Sequence, residues 1–299
     1  MTGKILDIEK WKTQYPFLNE VWTFYNELDK TLNETDNVAY SQRCNTLDIY
    51  EEVRINEQKN TCTRLFKNTF LLSNRDYSTD DFTKYCDILY IWLYFEIQKY
   101  NLNAQIINKI FQGSVSAAQQ KSRKQISCPY FSYNEKLEEA EKLIKLRIFQ
   151  YNISTIQNIL NNIIEPNNCS CLEYVYECVN IYKDMHKRYC ATDEGKNKTY
   201  KGTCDILKNF NLNYSSYIRN IKEEIYKLPF LSDTTTSSHT PTGSHATRCL
   251  LNKQKLELGS GAVHQSSSPK QISISTALST MAGIPPFLAL IYKVNIICT

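Results

Sequence analysis

The stretch Cys86-Asp-Ile-Leu-Tyr-Ile-Trp-Leu-Tyr-Phe-Glu-Ile97 is the densest apolar and aromatic run outside the C-terminus, and its reading decides the fold. Its Ile, Tyr, Trp and Phe content suits a buried strand, but its length and flanks point to a helix. Ser78-Thr79-Asp80-Asp81 offers a capping hydroxyl with a carboxylate three residues further on. Lys99 and Asn101 stand where a helix C-terminus favours a cation and a residue that tolerates the left-handed conformation. On a helix, Ile88, Leu89, Trp92, Phe95 and Lys99 share one side, while Ile91, Leu93 and Tyr94 cover most of the rest. A helix apolar nearly all round belongs in an interior. The run is well short of the roughly 20 apolar residues that a bilayer requires. It is therefore read as the central core helix of a soluble domain.

Working outward, scarce glycine and proline (eight each in 299 residues) favour long helices over a turn-rich β fold. Helical spacing is expected over residues 5–32, with Pro16 breaking or starting a helix, and in two shorter helices at 44–50 and 61–72. Residues 102–111 follow the central helix. The polar, basic stretch from Gly113 to Pro129 is expected to be a loop. Helical pattern returns over 134–164, with Glu138–Lys142 and Glu141–Lys145 as candidate ion pairs one turn apart. A further amphipathic helix is expected over 171–189, a polar loop over 193–202, and one or two helices over 204–227.

The character changes after residue 230. Residues 231–271 are rich in Ser, Thr, Gly, His and Pro without a period, which predicts a flexible linker or stalk. Residues 272–294 are apolar again, with no charge between Lys270 and Lys293, a length that suits a single transmembrane helix. Residues 295–299 form a short tail. The fold class expected is all-α: a multi-helix domain over 1–230, a stalk, and one C-terminal membrane segment.

A net charge of +4 without a clustered basic face does not argue for nucleic acid. The cysteine count, eleven, is more informative. Nine precede residue 210: Cys44, Cys62, Cys86, Cys128, Cys169, Cys171, Cys178, Cys190 and Cys204. Such a load implies disulfides in an oxidising compartment or metal sites. The segment Met1–Trp11 has no apolar core of the kind a secretory signal carries, so compartment and cysteine content pull apart.

Motifs of chemistry are scarce. Cys169, Cys171, Cys178, His186 and Cys190 supply ligand types that suit zinc, but without a Cys-x-x-Cys pair, so disulfides or buried thiols are the plainer reading. His186 is the one histidine before the stalk, and a Cys–His dyad has no further support; a surface helix histidine is the ordinary reading. Gly195-Lys196-Asn197-Lys198-Thr199 lacks the upstream glycine and the hydroxyl next to lysine that a phosphate loop needs. The pairs Glu138-Glu139 and Glu223-Glu224 read as solvated helix faces, and Lys121–Lys124 as a solvated loop or a contact for a phosphate or lipid head group. Twenty-one tyrosines suit either an interaction surface or a helical core. Five Asn-x-Ser/Thr sequons occur, at Asn33, Asn152, Asn168, Asn197 and Asn213. No cofactor is expected.

Set in order, these blocks resemble the interspersed-repeat variant proteins of malaria parasites (the PIR superfamily, VIR type). Cys86, Leu89, Tyr90, Trp92, Leu93 and Tyr94, with Glu96 near the expected acid, are similar to that family's Cys-x-Tyr-Leu-x-Tyr-Trp-Leu-Tyr-Asp core motif. Residues 142–156, the stretch Cys171–Cys190 with Tyr174, Tyr182 and Tyr189, and Cys204–Phe210 resemble its later helical blocks, and the stalk and apolar segment match its layout. The resemblance implies a disulfide-linked helical ectodomain, export into the infected red cell without an ordinary signal, and a non-enzymatic variant antigen. It implies a host protein or immune receptor as partner and a membrane contact through the C-terminal segment, with loops 113–129 and 191–202 carrying partner contact. It also implies that the nine cysteines form disulfides, with one left over unless Cys249 joins. The family continues past Tyr-Lys with a basic tail, whereas this sequence ends at Thr299. The competing expectation is an intracellular scaffold with reduced cysteines that binds protein partners through tyrosine-rich helices.

Overall fold

The structure, a computed structural model, describes residues 8–32, 34–74, 79–122, 128, 137–164, 166–190, 199–232 and 249. The chain divides into two units, Met1–Lys255 and Leu256–Thr299, and every described residue belongs to the first. The apolar segment 272–294, the tail, and the stalk apart from residues 231, 232 and 249 lie outside the described residues. Among the described residues there is no strand, and no helix is long and apolar enough to cross a membrane.

Six helices form a first half: α1 (Ile8–Gln14), α2 (Asn19–Asp29), α3 (Glu34–Asn45), α4 (Ile55–Asn74), α5 (Thr79–Tyr100) and α6 (Ala104–Ser122). A single 3-10 turn, Pro16–Leu18, joins α1 to α2, and proline suits its first position because the missing N–H has no partner there anyway. The second half contains α7 (Ala140–Tyr151), α8 (Ile153–Asn161), α9 (Asn168–Tyr189), α10 (Lys201–Asn213), a π turn at Tyr214–Ile218 and α11 (Glu223–Tyr226). In the first half α4 lies against α3, α5 and α6, and α2 against α5. In the second, α10 packs on α7 and α9, while α9 packs on α7 and α8.

The decisive stretch is interior helix. Leu89 and Trp92 are fully buried at 0% exposure, with Tyr90, Leu93 and Tyr94 also buried. The helix ends as its flank predicts: Asn101 adopts the left-handed conformation (φ 48°), and the Leu102 and Asn101 amides donate to the Ile97 and Gln98 carbonyls at 3.0 and 3.4 Å. This pattern satisfies carbonyls that would otherwise lack partners.

Several boundaries differ from expectation for identifiable reasons. The short helix expected at 44–50 is displaced upstream to α3, and the helix expected at 61–72 extends to α4. The loop expected from Gly113 is helical through Ser122, because Ala117, Ala118, Gln119 and Gln120 are strong helix formers and Ala118 packs fully buried. The single helix expected over 134–164 is two. Asn152, whose side-chain amide donates to the Ile148 carbonyl at 2.7 Å, separates α7 from α8. The expected pairs Glu138–Lys142 and Glu141–Lys145 give way to other partners: Lys142 meets Glu139 and Asp184, and Lys145 meets Glu177.

Candidate functional site

The aromatic residues of α5 build a polar junction as well as a core. Arg64 on α4 lies over the Trp92 ring at 5.0 Å and donates to Glu96 Oε2 at 2.7 Å and to Asp29 Oδ1 at 2.5 Å. Trp92 Nε1 donates to the same Asp29 oxygen at 3.3 Å. Burial pushes the Glu96 carboxyl up while Arg64 and Lys99 pull it down. The C-terminus of α2 ends at this junction. Its last carbonyls receive Lys67 Nζ, at 2.9 Å to Glu27 and 3.1 Å to Leu28, and Asn68 Nδ2, at 3.1 Å to Leu28. This capping by a neighbouring helix satisfies groups that α2 cannot satisfy itself.

A second junction joins the halves. Asp87 on α5, beside the motif's Cys86, accepts from Arg147 Nη2 at 2.5 Å and from the Tyr151 hydroxyl, both on α7. Burial pushes the Asp87 carboxyl up, with Arg147 and Tyr151 opposing. Nearby, Glu177 on α9 receives the Tyr15 hydroxyl and pairs with Lys145, whose ammonium also lies 4.8 Å from the centre of the Trp11 ring. These groups hold α1, α5, α7 and α9 together and are structural.

Several tyrosines are turned inward. Tyr174 donates to the Lys145 carbonyl at 2.7 Å, Tyr214 to Pro229 at 2.8 Å, Tyr226 to Leu160 at 2.8 Å and Tyr176 to Tyr226 at 3.1 Å. The interaction-surface reading of the tyrosine excess is thereby corrected for these residues: each ring fills core and each hydroxyl satisfies a carbonyl.

Four disulfides join Cys44–Cys62, Cys86–Cys128, Cys169–Cys249 and Cys190–Cys204. Cys86 thus ties α5 to the connection between α6 and α7 rather than to another helix. Cys249, in the stretch expected to be linker, takes part, and Cys171 and Cys178 do not. The expectation that these two form disulfides is corrected: both are buried free thiols. Burial pushes both thiols up, the inert condition rather than the reactive one. They face the core of α9 along with Leu172, Tyr174, Val175 and Tyr182. Of the thiols weighed for zinc, Cys169 and Cys190 are oxidised, and among the described residues no group of three His, Cys, Asp or Glu is placed to hold a metal.

Two sequons sit where a glycan cannot. Asn152 and Asn168 are buried, and the Asn168 amide nitrogen donates to the Ile159 carbonyl at 2.9 Å and the Tyr226 hydroxyl at 2.8 Å. Asn213 is half-buried, its amide directed to the Asn209 carbonyl at 2.9 Å. Asn33, Asn197 and, in the basic run, Arg123 and Lys124 lie outside the described residues.

A surface groove of about 510 Å³ lies between α9 and α10. This is within the usual range for ligand sites, roughly 300–1,000 Å³. From α9 it receives Tyr182, His186 and Cys190; from α10, Lys201, Cys204, Asp205, Lys208 and Asn211. The Cys190–Cys204 disulfide clamps one end, and at the other Asn211 Nδ2 donates to the Tyr182 hydroxyl at 3.2 Å. The His186 ring stacks on Tyr182 with centroids 5.2 Å apart. Lys201, Asp205 and Lys208 are exposed and make no ion pair or hydrogen bond with another described side chain. By contrast, Asp184 and Arg188 on the neighbouring face of α9 are paired to each other. The sequence reading identified His186 and the two cysteines of this groove but not its lysines. Lys201, Asp205 and Lys208 recur at helical spacing, a signal indistinguishable from any solvated helix face.

Neither a family model, nor a curated protein, nor a solved structure matches the chain. What the fold itself defines is a disulfide-clamped, all-helical unit with a polar surface groove between α9 and α10.

Proposed function

We propose that the chain is a non-enzymatic recognition protein of the variant-antigen type, exported to the infected red cell. Residues 1–230 together with the bridged Cys249 form its displayed domain, the rest of 231–271 a stalk and 272–294 a single membrane anchor. The observation that carries this reading is the set of four disulfides, since such bonds persist in oxidising surroundings and are rare in reducing ones. The ordered resemblance along the sequence supplies the cell and the family type. The interior use of the aromatic motif agrees with a scaffold whose function lies at its surface. Host proteins or immune receptors are the partners this reading implies.

The intracellular scaffold is the competing reading, and it requires reduced cysteines. Protease treatment of intact infected cells, followed by non-reducing mass mapping of the recovered chain, separates the two. Display predicts cleavage from outside and intact bridges at Cys44–Cys62 and Cys190–Cys204. A chain that is fully protected, with free thiols at those positions, would overturn the proposal.

A further inference from the structure

We infer that the α9–α10 groove binds an acidic, extended segment of a protein partner, through paired carboxylates held by Lys201 and Lys208. Lys201, Asp205 and Lys208 stand at i, i+4 and i+7 on α10 and therefore share one face. Seven residues of helix separate the two lysine positions by about 10.5 Å along the axis. A polyproline-type strand repeats every three residues at about 3.1 Å each, so carboxylates three residues apart lie on one side roughly 9 Å from each other. The two spacings match within the reach of flexible lysine side chains. Such a strand has no internal hydrogen bonds, so its intervening amide N–H groups are free to donate to Asp205 between the two cations. His186, stacked on Tyr182, and the Cys190–Cys204 disulfide give the groove an apolar wall for the residues between the acids.

The charge arrangement selects for this occupant. Of the charged residues that line the groove, Lys201 and Lys208 outnumber Asp205, and neither lysine forms an ion pair with another described residue, so positive charge prevails there. Asp205 lies within that field without a partner among the described residues. A densely sulfated polysaccharide would place anions against it at every position, whereas a peptide with spaced acids presents an amide there. The inference rests on the groove alone and stands or falls independently of where the chain is displayed.

The test uses the full chain with its disulfides intact and a short fluorescent peptide bearing Glu at every third position, separated by Pro and Ala. The expected result is saturable binding that weakens with salt, shifts the His186 ring resonances, and is lost for the same peptide with Lys in place of Glu. The double variant Lys201→Glu, Lys208→Glu is expected to lose affinity by tenfold or more, about 1.4 kcal/mol per decade. Asp205→Asn is expected to keep the peptide and to gain binding of heparin. All three substitutions are at exposed side chains, and unchanged circular dichroism confirms that the variants fold. Equal peptide affinity in the wild type and the double variant, a wild type that takes heparin in preference to the peptide, or no binding of the peptide at all would each overturn the inference.

Discussion

The first half of the helical unit, α1–α6, and the second, α7–α11, bury polar atoms by different means. In the first half the interior polar groups include several charges beside neutral ones such as Gln58, Asn68 and Thr69: Arg64 joins the buried Glu96 and the more exposed Asp29 at Trp92, and Lys67 caps the end of α2. In the second half they are mostly neutral, with Tyr174, Tyr176, Tyr214 and Tyr226 each donating to a carbonyl. A buried charge that loses its partner retains a large desolvation penalty, whereas a lost phenol leaves one carbonyl short of a donor. The first half should therefore fail abruptly when a single group is removed, and the second should weaken by degrees. That tolerance accompanies the groove, which lies on the second half, where Lys201, Asp205 and Lys208 are exposed and unpaired among the described residues.

The difference can be broken most severely at Trp92. Replacing this fully buried ring by alanine leaves a cavity and releases Arg64, at an expected cost of about 3–5 kcal/mol by urea unfolding. A loss below about 1 kcal/mol would remove Trp92 from the centre of the core. Next is the seam between the halves. Asp87→Ala removes the carboxylate that faces Arg147 and is expected to destabilise by about 3 kcal/mol, and adding Arg147→Met should recover most of that, because the guanidinium that lost its counter-charge goes too. If the double variant is as unstable as the single one, packing rather than charge holds the seam.

The Cys190–Cys204 bridge closes a short loop beside the groove, with a sequence separation of 14. Replacing both cysteines by serine is expected to cost about 3 kcal/mol. The loss should appear as a lower melting temperature under non-reducing conditions, while the wild type treated with reductant should drop further because all four bridges open. Tyr226→Phe probes the gentler half: it removes one hydroxyl from the Leu160 carbonyl and from Asn168, for about 1 kcal/mol by chemical denaturation. A loss as large as that of Asp87→Ala would erase the contrast between the halves.

The smallest effect is a pH dependence at the exposed edge of the second half. Arg188 and Lys142 hold the Asp184 carboxyl below its ordinary value, and they do the same for Glu139 against the opposing effect of its partial burial. A depressed folded-state value means that the contribution is complete above the unfolded-state value, about 4, and is lost as pH falls through the folded one. Unfolding followed from pH 6 down to pH 2 should show a shallower decline for Asp184→Asn than for the wild type. Identical slopes would assign the acid sensitivity elsewhere.

Some of this is legible in the sequence alone. Apolar spacing marks Cys86–Ile97 as interior helix, Asn101 marks its end, and Pro16 marks the break between α1 and α2, because each signal acts within a few residues along the chain. The same local signals misjudge Gly113–Ser122, where one glycine and a polar run outweigh the helix formers that follow. Cysteine content alone points to bridges, but it does not separate Cys171 and Cys178 from their neighbours on α9. A bridge requires two side chains a few ångströms apart, and helix packing alone decides which cysteine meets Cys249, 80 residues from its partner Cys169. The capping of α2 by Arg64, Lys67 and Asn68, the seam at Asp87 and the groove between α9 and α10 are of the same kind. Local sequence determined that this protein is built of helices and which stretch lies at its centre. Only the tertiary structure decided which charges are neutralised and which are left facing outward, because pairing depends on distances between residues that are far apart in the chain.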